Sequence, residues 1–128
     1  MSASVPPDHT LDSVLGLEVL EAGPERARAQ FAVTDNARQI YGIVHGGAYA
    51  AAAESLASVA TGVAVAEEGK RAMGQSNNAS FVRPVSDGTI HVLASVRHSG
   101  RTTWVWDVDF TDDDGRLCAL ARVTVAVR

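Results

Sequence analysis

The sequence predicts an α+β fold in which an antiparallel sheet wraps around one long central helix. Residues 48–66 are dominated by helix formers and contain no proline. From Arg71 onward the hydrophobic repeat drops to two, the period of strands. Turn dipeptides at Asp87-Gly88, Ser99-Gly100 and Asp114-Gly115 then cut that stretch into segments. At 128 residues the chain suits one domain around one core.

Residues 1–9, with Pro6 and Pro7, read as a frayed tail, so the domain is expected over 10–128. Thr10 or Asp12 is placed to cap a short helix through Leu15, and Gly16 to end it. Residues 17–21 and 26–33 read as strands about a turn at Gly23-Pro24. Residues 35–44 carry no period and lead into His45-Gly46-Gly47. The long helix follows, and Glu67, Glu68 and Gly69 mark its end. Four strands complete the chain at 73–82, 89–98, 102–110 and 116–127, the last three close enough for a meander. The helix is apolar almost all round, so the sheet should cover most of it, and its alanines permit a close approach. A curved open sheet leaves an edge strand to be paired, which favours dimers.

Composition excludes several classes. The formal net charge is −4 with no Lys/Arg cluster along the chain, unlike a nucleic-acid surface. The single cysteine, Cys118, has no partner for an internal disulfide, which fits a reducing compartment; it reads as a small buried hydrophobe. The first ten residues lack the basic and apolar regions of a secretory leader. Residues 46–66 are long enough to span a bilayer, but alanine contributes little to insertion and Glu54 opposes it. The expectation is a soluble, cytoplasmic protein that binds neither membrane nor nucleic acid.

Glu54 carries the first chemical signal. It is the only charged residue between His45 and Glu67, set in a run of alanines. Burying an unpaired carboxylate costs several kcal/mol, so such a residue points to a base or nucleophile. The competing reading is a solvated strip of Glu54, Ser58 and Thr61 on one helical face. His45-Gly46-Gly47 is the second signal. Glycines at a helix start let a ligand approach first-turn N–H donors, the makings of an oxyanion hole; otherwise they form a plain loop-to-helix junction. His9, His45, His91 and His98 have no metal-ligand spacing, so no metal is expected. Ser55 and Ser58 lie near Glu54 without a G-x-S-x-G elbow, which argues against a serine hydrolase. Trp104 and Trp106 alternate on a strand as core or interface residues, and Arg83 before Pro84 is either solvated or ligand-binding.

A longer ordered set extends these signals: Gln39-x-Tyr41-Gly42-x-Val44-His45-Gly46-Gly47-Ala48-Tyr49 through Glu54, Gly74-Gln75-Ser76-Asn77, Phe81-x-Arg83-Pro84-Val85, Thr102-Thr103-Trp104-x-Trp106-Asp107-Val108 and Gly115-Arg116-Leu117-Cys118. Over 10–128 it resembles the hotdog-fold acyl-CoA thioesterases. The likeness is to the 4-hydroxybenzoyl-CoA enzymes with a helix-borne glutamate, and to the 1,4-dihydroxy-2-naphthoyl-CoA enzymes.

That resemblance implies hydrolysis of an aryl-CoA without metal or cofactor. Glu54 would attack the thioester or activate water, and the Gly46 N–H would polarise its carbonyl. Gln39 would orient the acyl group or water, Ser58 would support Glu54, and His45 would shape the junction. CoA phosphate contacts would fall on Arg83 and Thr102. Arg101 stands where the benzoyl enzyme has a small hydroxyl residue, and could serve a phosphate too. The family further implies homodimers with shared sites, paired into homotetramers. Helix geometry agrees: eight residues separate Gly46 from Glu54, about 12 Å along a helix, too far for one thioester to touch both. A hydroxyacyl-thioester dehydratase and a non-catalytic acyl-CoA binding module are the rival readings.

Overall fold

The computed structural model describes residues 7–128, so most of the tail expected over 1–9 lies outside the described residues. Helix α1 (Leu11–Leu15) is capped by Thr10, whose hydroxyl oxygen accepts from the Ser13 N–H at 3.1 Å. It ends at Gly16 with φ 74°, a left-handed turn that favours a residue without Cβ. Asp12, the other candidate cap, instead accepts from Ser55 Oγ at 2.7 Å and ties α1 to the long helix.

The six strands are β1 (Glu18–Ala22), β2 (Arg26–Ala32), β3 (Ala72–Phe81), β4 (Thr89–Ser99), β5 (Thr103–Thr111) and β6 (Leu117–Val127). They form one sheet in the order β1-β2-β4-β5-β6-β3, with every neighbouring pair antiparallel. The expected meander is β4-β5-β6. β3 pairs with β6 on one side only, so its outer edge is open, as is that of β1.

Helix α2 (Gly46–Val65) begins at Gly46, earlier than the expected Ala48. The cause is His45, whose Nδ1 accepts from the Gly47 N–H at 2.7 Å while its carbonyl accepts from the Ala48 N–H at 2.9 Å. A 3₁₀ turn at Ala66–Glu68 and Gly69 (φ 70°) closes the helix.

The stretch over 35–44 is more ordered than expected. Asp35–Ala37 forms a 3₁₀ turn, and a bridge between Arg38 and Val44 closes a narrow loop. The Arg38 guanidinium fastens it, donating to Asp35 Oδ1 at 2.7 Å and to the carbonyls of Val33 (3.0 Å) and Ser86 (3.1 Å).

The core lies between α2 and the concave face of the sheet. Buried Tyr49, Ala52, Ala53, Leu56, Ala57 and Ala60 meet Trp106, Val108, Phe110, Val123 and Val125. At the helix start the Tyr49 ring sits 5.1 Å from Phe110, 5.9 Å from Phe81 and 6.3 Å from Phe31, centroid to centroid. Further along, the buried Trp106 Nε1–H donates to Thr61 Oγ1 at 2.9 Å, and Thr61 donates to the Ala57 carbonyl at 2.8 Å. An orphaned buried N–H would cost about 1–3 kcal/mol, so Thr61 is a core residue. The strip expected of Glu54, Ser58 and Thr61 is therefore corrected: Glu54 is exposed, Ser58 half-buried and Thr61 buried.

Candidate active site

Every fourth residue of α2 from its start falls in one row: Gly46, Ala50, Glu54, Ser58 and Gly62. Strand β3 lies across this row, running opposite to the helix. A Cβ on Gly46 would come within 2.7 Å of the Phe81 ring. Asn77 Nδ2 donates to the Ala50 carbonyl at 2.9 Å. A Cβ on Gly74 would stand 2.8 Å from the Glu54 carboxyl carbon, and one on Gly62 would stand 3.9 Å from Ala72 Cβ. The open edge strand thus covers the side of the helix that holds Gly46 and Glu54.

His45 caps the helix start. Its ring occupies the Gly47 N–H and its carbonyl the Ala48 N–H, and among the described residues the Gly46 N–H has no partner. Glu54 has neither a hydrogen bond nor an ion pair among them. The burial expected for this carboxylate is not supplied by its own chain: Glu54 lies against Gly74 of the edge strand β3 and is still exposed. Since the helix starts at Gly46, the separation of about 12 Å between Gly46 and Glu54 stands. One chain offers an unpaired donor and an unpaired carboxylate that do not meet. Ser58, one turn on, makes no hydrogen bond to Glu54.

Gln39 sits in the loop before the helix. Its side-chain oxygen accepts from the Tyr41 N–H, and its own N–H donates to the Ile43 carbonyl at 2.8 Å. The loop tip leaves Ile40 92% and Tyr41 83% exposed, unusual for large apolar side chains. Arg38, Gln39 and His45 border an open cleft of about 600 Å³. A narrower cleft of about 290 Å³ lies between α1 and the start of α2, lined mostly by Leu11, Val14, Leu15, Ala48 and Ala51, with His45 at its rim.

The expected CoA residues do not converge in one chain. Arg83 follows β3 at the end where Phe81 pairs with Ala119, near the helix start. Arg101 and Thr102 lie in the β4–β5 turn at the other end, where Ala72 pairs with Val127 and Thr103 with Ala126. Nine strand steps separate the two ends, roughly 30 Å.

Charge pairing is uneven. Arg26 and Arg28 pair with Glu21, Arg38 with Asp35, Arg97 and Arg122 with Asp107, and Arg116 with Asp112 and Asp114. Among the described residues Lys70, Arg71, Arg83, Arg101 and Arg128 have no carboxylate partner. Four of these five share one corner. Lys70 Nζ donates to the Arg101 carbonyl at 3.5 Å, Arg128 donates to the Thr102 carbonyl at 3.4 Å, and Arg71 and Arg128 exchange backbone hydrogen bonds of 2.8 and 3.0 Å. The linear sequence shows no basic cluster; the fold makes one. Among the described residues, no three His, Cys, Asp or Glu side chains come together as metal ligands would.

Residues 41–119 match the model of the Thioesterase superfamily. The chain belongs to that superfamily. It is 42% identical over 114 residues to a Mycobacterium tuberculosis protein named "putative esterase", covering 88% of this chain and 81% of that one. A solved thioesterase from Haemophilus influenzae superposes with a TM-score of 0.88 at 32% identity, over 94% of this chain and 84% of that one. A mutant thioesterase from Pseudomonas aeruginosa does so with a TM-score of 0.88 at 33% identity, over 93% and 86%. The sheet around the central helix is thus the hotdog fold of these thioesterases. The sequence singles out Gly46, His45 and Glu54 as candidates, but not what surrounds them. The row of Gly46, Ala50, Glu54, Ser58 and Gly62 was visible as a four-residue repeat; that β3 would lie on it, through Gly74 and Asn77, was not.

Proposed function

We propose that this thioesterase-superfamily chain hydrolyses CoA thioesters of a compact, aryl-type acyl group, at sites each built by two copies. The observation that carries the reading is the α2 row itself, with an unpartnered N–H at Gly46 and an unpartnered carboxylate at Glu54 about 12 Å apart. A two-fold axis beside the open β3 edge brings one copy's Glu54 to the other's Gly46. The Gly46 N–H then donates to the thioester carbonyl oxygen, where negative charge develops. Glu54 of the second copy attacks the carbonyl carbon, or takes a proton from the water that does. The C–S bond breaks, CoA leaves as the thiol, and the acid is released.

His45 caps the Gly47 N–H and stands next to the unpartnered Gly46 N–H. Gln39 closes the acyl side, and Ser58 stands a turn behind Glu54. The cleft of about 290 Å³ beside His45 suits a short apolar group better than a long chain. Pairing through β3 also sets Arg83 of one copy beside the basic corner of the other, a match for a substrate bearing phosphates. Exposed Leu93 (38%) and Leu120 (40%) on the outer sheet face support stacking of two such dimers.

The test is thiol release over a panel of aryl-CoA and fatty acyl-CoA esters. Higher kcat/KM is expected for 4-hydroxybenzoyl-CoA or a related aryl ester than for palmitoyl-CoA. Glu54→Ala should lower kcat by at least ~10³-fold in a folded protein. Retention of a tenth of the rate would remove Glu54 from the mechanism, and a preference for palmitoyl-CoA would overturn the acyl assignment. Enoyl formation or tight binding without thiol would replace the reading with a dehydratase or a binding module.

A further inference from the structure

A left-handed backbone does not explain the glycine at position 74. Gly16, Gly42, Gly69, Gly88 and Gly115 occupy positive φ, whereas Gly74 does not. Within a strand, glycine weakens the element and brings no side chain to pack. What Gly74 has instead is a neighbour. A Cβ there would lie 2.8 Å from both Cγ and Cδ of Glu54 and 2.9 Å from Oε2, well inside the 3.5–4.0 Å of ordinary carbon contact. The Glu54 carboxyl group occupies the volume that any side chain at 74 would need.

Two further features act on the same place. The register of β3 against β6 slips between Gly74, paired with Val125, and Ser76, paired with Thr124, so Gln75 is an extra residue. Such bulges bend a strand locally and re-aim what it faces. Beyond the bulge, the Asn77 amide donates to the Ala50 carbonyl, one helical turn before Glu54. Bulge and amide together fix the height of β3 over α2 at the carboxylate.

We infer that Gly74 is a positioning residue, its bare Cα forming the seat on which the Glu54 carboxylate rests. The inference rests on Glu54 being the reacting carboxylate proposed above, and adds the residue that sets where it stands. A methyl group at 74 pushes the carboxylate away by about an ångström, a displacement that costs on the order of 10²-fold in rate. The flexible end of Glu54 yields before the backbone does, so the fold survives.

The test uses the full chain with Gly74→Ala, checked for unchanged circular dichroism and oligomeric mass. The expected result is a kcat reduced ~10²-fold with KM within about threefold of wild type, a split that a general loosening of the sheet would not give. A second readout needs no activity. Gly74→Ala should lower Tm when Glu54 is present, and leave Tm unchanged or raise it in a Glu54→Ala background, where the space is empty. A Gly74→Ala enzyme with wild-type kcat would overturn the seat, and so would equal Tm shifts in the two backgrounds. Should wild type release no thiol from any ester, the proposed function fails, and the Tm cycle alone decides the seat.

Discussion

Single residues here owe their roles to what reaches them through space. Asp112, buried in the β5–β6 turn, accepts from the Asp114 N–H at 3.0 Å and the Arg116 N–H at 2.9 Å through Oδ1, and from Arg116 Nε at 2.8 Å through Oδ2. The Arg116 backbone N–H above all, then its guanidinium and the Asp114 N–H, hold the carboxyl below its ordinary 3.8 against the opposing effect of burial. A carboxyl depressed by folding stabilises fully above its unfolded pKa and loses that contribution as pH falls through its folded value. Asp112→Ala should therefore melt below wild type at pH 7, with the gap narrowing below about pH 4. Calorimetry at pH 7 and pH 3 reads the difference, and an equal gap at both would refute it. The sequence marked this turn at Asp114-Gly115, but nothing in a run of three aspartates distinguishes the one that folds inward. Glu54 was legible because a lone charge in an alanine helix stands out. Gly74 was not, because its reason lies twenty residues away.

At the scale of elements, the strand limits read from the sequence lie within one residue of those observed, since period-two alternation and turn dipeptides are local signals. The helix start was misplaced because His45 as an N-cap is a side-chain choice that propensity does not reveal. The basic corner was invisible for a related reason. Its cations come from the turn after α2, the β4–β5 turn and the end of β6, which meet only once β3 has crossed to pair with β6. If the corner holds CoA phosphates, Arg71→Ala and Arg101→Ala should each raise KM for a CoA ester roughly tenfold with little change in kcat, the scale of one charged hydrogen bond. The matching pantetheine ester, which lacks the nucleotide, should be hydrolysed by variants and wild type with the same KM. A KM that moves for both substrates would assign the corner to folding instead.

At the scale of the whole molecule, the α+β class followed from the long helix and the meander, while the partner proposed to complete a site is written in no single chain. Mixing two inactive variants tests that partner. Glu54→Ala supplies a sound Gly46 donor. Gly46→Pro removes the donor at a position where proline is tolerated, with Phe81→Ala added because the new Cβ would lie 2.7 Å from that ring. Co-refolded in equal amounts, with each parent shown folded, they should recover about a quarter of wild-type activity, since half the dimers are mixed and each holds one intact site. A mixture as inactive as its parents, with mixed dimers shown to form, would place the whole site in one chain.

The two open edges of the sheet have a consequence of their own. β1 is a five-residue strand whose register slips between Val19 and Glu21, with Glu18 and Glu21 along it, a poor template for another strand. β3 is ten residues long and carries no charge from Ala72 to Phe81, the kind of edge on which chains stack into fibres. Growth can therefore begin on one side only. In the proposed dimer both β3 edges are consumed and only the blunt β1 edges remain, so edge-to-edge growth of the sheet stops at a pair. The edge that would endanger a lone chain is the one that ends polymerisation in the proposed dimer.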